Sequence, residues 1–152
     1  MLSTRTTSLR AIVPGRAGGY PENSDKHIEN APNFPAVRPS GAFLSNIDDL
    51  LKWEMALQNG KPFTTQLWDS IWAGGFKTGL TIDDEPIYYN FGWMINKFGN
   101  GRLIHHGGSL PGFKSVYFRL PDNTAIILLA NADQADMYAI AFGIVERLPR
   151  HE

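Results

Sequence analysis

The sequence predicts an α+β fold, an antiparallel sheet flanked by helices that keep apart from it along the chain. Three observations predict it. Two stretches of helical period lie between residues 45 and 73, strand-like runs separated by turn signals fill 88–130, and a last helical stretch follows 133. The chain has 152 residues, which suits one compact domain. Hydrophobic residues make up 43% and charged residues 19%, the balance of a globular protein.

Residues 1–43 form a loop-rich lead-in, punctuated by Pro14, Gly15, Gly18, Gly19, Pro21, Pro32, Pro35 and Pro39. That density breaks both helix and strand. So long a loop inside a compact domain is unusual, and it suggests a surface excursion or an absent packing partner.

Ser45 and Asp48 read as a capping box, in which two side chains satisfy free N–H groups of a first turn. Ile47, Leu50, Leu51 and Leu57 then share a helical face, and Gly60 stops the run. A second helix spans 64–73, grouping Leu67, Trp68, Ile71 and Trp72 before Gly74-Gly75 ends it.

The period then changes. Residues 88–98 are rich in aromatics, Gly99-Asn100-Gly101 reads as a hairpin turn, and 102–106 returns. A second hairpin runs over 114–120 and 124–130, turning at Pro121-Asp122-Asn123. Four antiparallel strands result. The apolar run Ile126–Leu129 predicts a strand covered on both faces. Asp133 and Asp136 open a last helix carrying Met137, Ile140, Ala141, Ile144, Val145 and Leu148, ended by Pro149.

Several function classes receive no support. Net charge is −1, without the basic excess of a nucleic-acid binder, so no nucleic-acid partner is expected. No apolar run is long enough to span a bilayer, and the first residues lack the apolar core of a secretory signal. Compartment stays open. With no cysteine and only His27, His105, His106 and His151, no familiar metal spacing occurs. Neither metal nor cofactor is expected.

The chemistry-bearing stretch is His105-His106-Gly107-Gly108-Ser109-Leu110-Pro111-Gly112-Phe113, placed at the exit of a strand. Glycine lets a substrate approach the backbone closely, and backbone N–H groups there could hold an oxyanion. The plain alternative is a glycine-rich connection between two hairpins.

The order of motifs resembles the serine β-lactamase-like family of class C β-lactamases, D-alanyl-D-alanine carboxypeptidases and related esterases. Arg38-Pro39-Ser40-Gly41-Ala42-Phe43-Leu44-Ser45-Asn46-Ile47-Asp48-Asp49-Leu50 looks like its "G-hydrophobic-S-T-x-x-D-L" segment. Tyr89-Asn90-Phe91-Gly92-Trp93 resembles "Y-G-x-G-W", with Asn90 in place of the first glycine. His106-Gly107-Gly108 followed by Pro111-Gly112-Phe113 resembles "H-x-G-x-x-P-G-F". Pro121-Asp122 and Leu128-Leu129-Ala130-Asn131 resemble a "P-D" turn and a strand ending in Asn, and Ala17-Gly18-Gly19-Tyr20 resembles "A-x-G-Y". The matches run in family order over residues 17–131.

The resemblance implies the C-terminal part of a β-lactamase-like (penicillin-binding protein transpeptidase-like) domain, with 44–148 holding its helices and strands. It implies acyl transfer on a small amide or ester, in which serine attacks the carbonyl while a lysine and a tyrosine manage the proton. His106 would line the cleft, Gly107 and Gly108 would sit on the substrate strand, and Ser109 N–H would be one oxyanion donor.

The family's nucleophile motif Ser-x-x-Lys is absent, since none of Ser3, Ser8, Ser24, Ser40, Ser45, Ser70, Ser109 and Ser115 has a lysine three residues on. Tyr88-Tyr89-Asn90 matches Tyr-x-Asn formally but falls in the wrong place in family order, which makes Tyr88 an ordinary strand aromatic. Three readings follow. The first is a partial hydrolase domain, without a complete catalytic set and inactive alone, whose partner is the missing N-terminal half. The second is a non-catalytic module that binds another chain through an exposed sheet edge. The third is an enzyme using Ser109 with His106 nearby, although Gly107-Gly108-Ser109-Leu110-Pro111 lacks the second glycine of a G-x-S-x-G elbow. Sequence alone does not choose among lactams, peptides and esters as substrate.

Overall fold

A computed structural model of the chain describes residues 1–6, 12–21, 31 and 40–149. His27, Pro32, Pro35, Arg38, Pro39 and His151 lie outside the described residues.

A short pair comes first, β1 (Arg5–Thr6) against β2 (Phe43–Leu44), antiparallel. Helices α1 (Ile47–Gln58) and α2 (Thr65–Ala73) follow. Then come β3 (Phe76–Ile82), β4 (Glu85–Asn90), β5 (Trp93–Phe98), β6 (Gly101–Leu110), β7 (Phe113–Arg119) and β8 (Ala125–Ala130), and finally α3 (Met137–Val145). The last six strands form one sheet in chain order. Antiparallel sheet and segregated helices match the expected class.

The strand count does not match, because the sheet has six strands where the turn signals predict four. Residues 88–98 are two strands, since Phe91 (φ 46°) and Gly92 (φ 83°) make a two-residue turn with positive φ at both centres. Phe91 is an uncommon residue for that conformation, so the turn carries no Asn-Gly signature. Strand β3 is exposed along most of its length, and Thr78 and Gly79 interrupt its alternation of Phe76, Leu80 and Ile82. Its turn to β4 uses Asp83 (φ 49°) and Asp84 (φ 63°).

The chain packs as two compact units. One comprises Met1, Leu50–His106 and Tyr117–Ile127, the other Leu2–Asp49, Gly107–Val116 and Leu128–Glu152.

The core of the first unit is Leu57, Trp68, Ile71, Trp93 and Ile95, with Trp53, Trp72, Ile104 and Tyr117 packed on it. Trp68 and Trp72 stack at 5.2 Å, and Trp93 meets Tyr117 edge-on at 5.4 Å. Each buried aromatic of this kind stabilises by roughly 1.5–3 kcal/mol. Leu67, expected beside them, is 47% exposed.

Helix α1 buries only part of the expected face, with Leu57 in the core and Leu50 half-buried. Ile47 and Leu51 are exposed, whereas Glu54 is 3% exposed. The Glu54 carboxylate accepts from Arg119 Nε at 2.9 and 3.1 Å, from Gln58 Nε2 at 2.9 Å, and from the Tyr117 hydroxyl. Burial, the hydrogen bond to Glu54 and its negative charge together push the Tyr117 phenol far up. The Arg119 guanidinium lies 4.5 Å above the Trp72 ring. A paired charge can be buried where apolar periodicity points elsewhere.

In the second unit, Asp49 is 1% exposed and accepts from the backbone N–H groups of Leu2, Ser3 and Thr4 at 3.2, 2.8 and 2.7 Å. The cap of α1 is Asn46, whose Oδ1 accepts from Asp49 N at 2.9 Å. The Ser45 hydroxyl turns to Thr4 Oγ1 at 2.8 Å, so the expected Ser45–Asp48 capping box does not form. Helix α3 is capped by Asp136, which accepts from Ala139 N, and it ends at Val145, before Leu148 and Pro149. Asp133 does not open it but accepts from Gly112 N at 2.8 Å. Met137 and Ala141 are buried, while Ile140 is exposed. Strand β8 is not covered on both faces as its apolar run predicts, because Leu129 is 43% exposed at one end of the sheet order.

Candidate functional site

His106, Gly107, Gly108 and Ser109 are consecutive residues of β6. They neither follow a strand nor connect two hairpins, because pairing continues to Leu110 and the turn to β7 is Pro111-Gly112. Gly112 makes that turn with φ 77°.

His106 is half-buried. Its ring meets Tyr89 edge-on at 5.8 Å, and its Nε2 lies 3.4 Å from the Tyr89 hydroxyl. Tyr89 in turn packs on Phe76 at 5.7 Å. Its neighbour His105 is fully buried against Phe118, with ring centroids 5.6 Å apart. Loss of hydration, and secondarily the nearby His106, push the His105 imidazole down to about 4. His105 is therefore a neutral core residue at physiological pH.

The two glycines have packing reasons of their own. A Cβ on Gly107 would meet the Tyr138 ring at 3.0 Å, and one on Gly108 would meet Ser115 Oγ at 2.6 Å. Burial pushes the Tyr138 phenol up, so that ring stays neutral over the strand. Gly108 and Ser109 are nonetheless exposed, leaving the backbone at the end of β6 accessible.

No group of three His, Asp or Glu side chains able to hold a metal occurs among the described residues. Nor is any helix among them long and apolar enough to cross a membrane.

Three of the motifs quoted from the sequence meet in the second unit. Tyr20 N donates to Asn131 O at 2.9 Å, and Asp133 N donates to Tyr20 O at 3.1 Å. Asn131 Nδ2 donates to Gly18 O at 2.9 Å. A Cβ on Gly19 would strike the Phe113 ring at 2.4 Å, and one on Gly112 would strike Tyr20 N at 2.7 Å. The residues 17–20, 111–113 and 131–133 thus clasp one another, which explains two of the glycines by close approach. Tyr88 pairs with Ile95 as a strand residue, and Asn90 Nδ2 donates to Ile71 O at 2.7 Å. Sequence reasoning missed Tyr89 beside His106 and the Glu54–Arg119 pair, since neither contact follows from local spacing.

Known proteins agree with this picture. A family model described as Beta-lactamase matches residues 1–145. The unguisins hydrolase ungD' of Aspergillus campestris (strain IBT 28561) is 29% identical over 139 residues, 86% of this chain and 26% of the relative. A penicillin-binding protein of Bacillus subtilis (strain 168) is 26% identical over 104 residues, 67% of this chain and 22% of the relative. The chain therefore spans about a quarter of these relatives' length. Among solved structures, a penicillin-binding protein from Bacillus halodurans superposes with a TM-score of 0.69 at 16% identity, covering 95% of this chain and 44% of that one. Its likeness shows the fold, and the family match over residues 1–145 shows the lineage: the chain belongs to the Beta-lactamase family.

Proposed function

We propose that this chain supplies the substrate strand of a serine acyl-transfer hydrolase and does not itself carry the nucleophile. The accessible backbone at Gly108 and Ser109, on the same strand as a half-buried His106, carries the reading. In it, an amide or ester lies along the end of β6, His106 lines the cleft, and Ser109 N–H donates to the carbonyl oxygen as it gains charge. Loss of one such donor costs about 10²–10³ in rate. A serine and the lysine and tyrosine that handle its proton come from sequence beyond these 152 residues, the N-terminal half of the domain. The absence of Ser-x-x-Lys supports this division.

A second reading, an interaction module using the sheet edge, draws support from the exposed Leu129 on β8. The two share one test. The folded chain is exposed to a serine-directed acylating probe and its intact mass is read. No adduct is expected. A stoichiometric adduct would overturn the proposal and send the search to Ser109 first. With no adduct, regained acylation on adding the N-terminal half selects the first reading over the second.

A further inference from the structure

A groove in the first unit holds chemistry that the reading above does not use. Its volume is about 490 Å³, within the range of small-molecule sites. Trp68, Trp72 and Ile104 give it apolar walls, and Arg102 and Arg119 bring positive charge.

Arg119 is the notable member. It is 6% exposed, and its guanidinium is held in two ways: Nε donates to Glu54, and one face lies on Trp72. Neither Nη amine hydrogen-bonds to a described residue. The Nη amines are not among the enclosed polar atoms that lack a partner, so the fork opens to the groove rather than being sealed in the core. Fixed by its carboxylate and its indole, that fork is already oriented for a planar two-oxygen acceptor. Asp69 also lines the groove and disfavours a second negative charge on any occupant.

We propose that this groove binds a small monocarboxylate with a flat apolar body, its two oxygens taken by the Nη amines of Arg119 and its body laid among Trp68, Trp72 and Ile104. Phosphate fits less well, because it lacks the apolar body and carries more charge near Asp69.

The test is a titration of the full chain with benzoate, followed at the indole N–H resonances, of which the four tryptophans give four. Benzamide and inorganic phosphate serve as controls. Saturable shifts at Trp68 and Trp72, absent at Trp53 and Trp93, are expected with benzoate alone. Arg119→Lys keeps the charge and loses the fork, but it also disturbs Glu54. Thr65→Trp, on an exposed residue lining the groove, blocks it while leaving that pair intact. Each variant should weaken benzoate by about tenfold or more. Non-saturable shifts, an equal response to benzamide or phosphate, or unchanged binding by folded Thr65→Trp would each overturn the site. None of these outcomes bears on acylation, so the two proposals fail separately.

Discussion

A proton added to His105 finds no water to solvate it, because the ring is fully buried against Phe118. Its imidazole is pushed down to about 4 in the folded chain, against an ordinary value of 6.5. Between those values the unfolded chain takes up the proton and the folded chain does not. Stability therefore falls as pH drops from about 6.5 to about 4, and is untouched by this group at higher pH. The loss amounts to about 3 kcal/mol at the lower end, since each tenfold difference in proton affinity between the two states is worth about 1.4 kcal/mol. Urea unfolding at pH values of about 7, 5.5 and 4.5 should show that decline, and His105→Gln should flatten it. A variant with the same acid slope would transfer the effect to another group. The adjacent imidazole, His106, is only half-buried and faces Tyr89. Two neighbouring histidines thus live in different solvents, and only the accessible one suits a cleft.

At the level of elements, α1 shows what hydrophobic periodicity reveals and what it hides. Its limits are legible, because Gly60 and a polar cap bracket it. Its buried face is legible only at Leu50 and Leu57. Ile47, Leu51 and Met55 point to solvent, while Asp49 and Glu54 are buried because backbone N–H groups and Arg119 satisfy them. Those partners lie up to 65 residues away in sequence, beyond the reach of any local pattern. The cap itself sits one residue on from the expected one for the same kind of reason. Ser45 is drawn to Thr4, which leaves Asn46 to accept from Asp49 N. Asn46→Ala should therefore lower stability by about 1 kcal/mol, a typical cost for a lost cap, while Ser45→Ala on the exposed side should change it by under about 0.5 kcal/mol. Thermal unfolding of both variants checks this, and the reverse ranking would restore Ser45 as the cap.

For the whole molecule, the class and family order are readable in the sequence while the sheet's extent is not. The hairpins at Gly99-Asn100-Gly101 and Pro121–Asn123 announce themselves through turn residues. Strand β3 and the Phe91-Gly92 turn lack such signals, so two further strands stay hidden. The candidate site is legible as a run of residues but not as a conformation. The extension of β6 to Leu110 makes it part of a strand. Among the described residues the sheet ends on β8, whose apolar run Ile126–Leu129 leaves Leu129 exposed. An apolar edge strand offers unpaired backbone groups to any other extended chain, and a lysine on it is a common deterrent. Leu129→Lys should therefore reduce self-association, read by light scattering across a concentration series. Because Leu129 is not a core residue, the cost to stability should stay within about 0.5 kcal/mol. If association persists while the variant stays folded, the sticky surface lies elsewhere, and the exposed face of α1 with Leu51 and Met55 becomes the next to change. If association disappears, β8 is the edge on which a partner chain has to be sought.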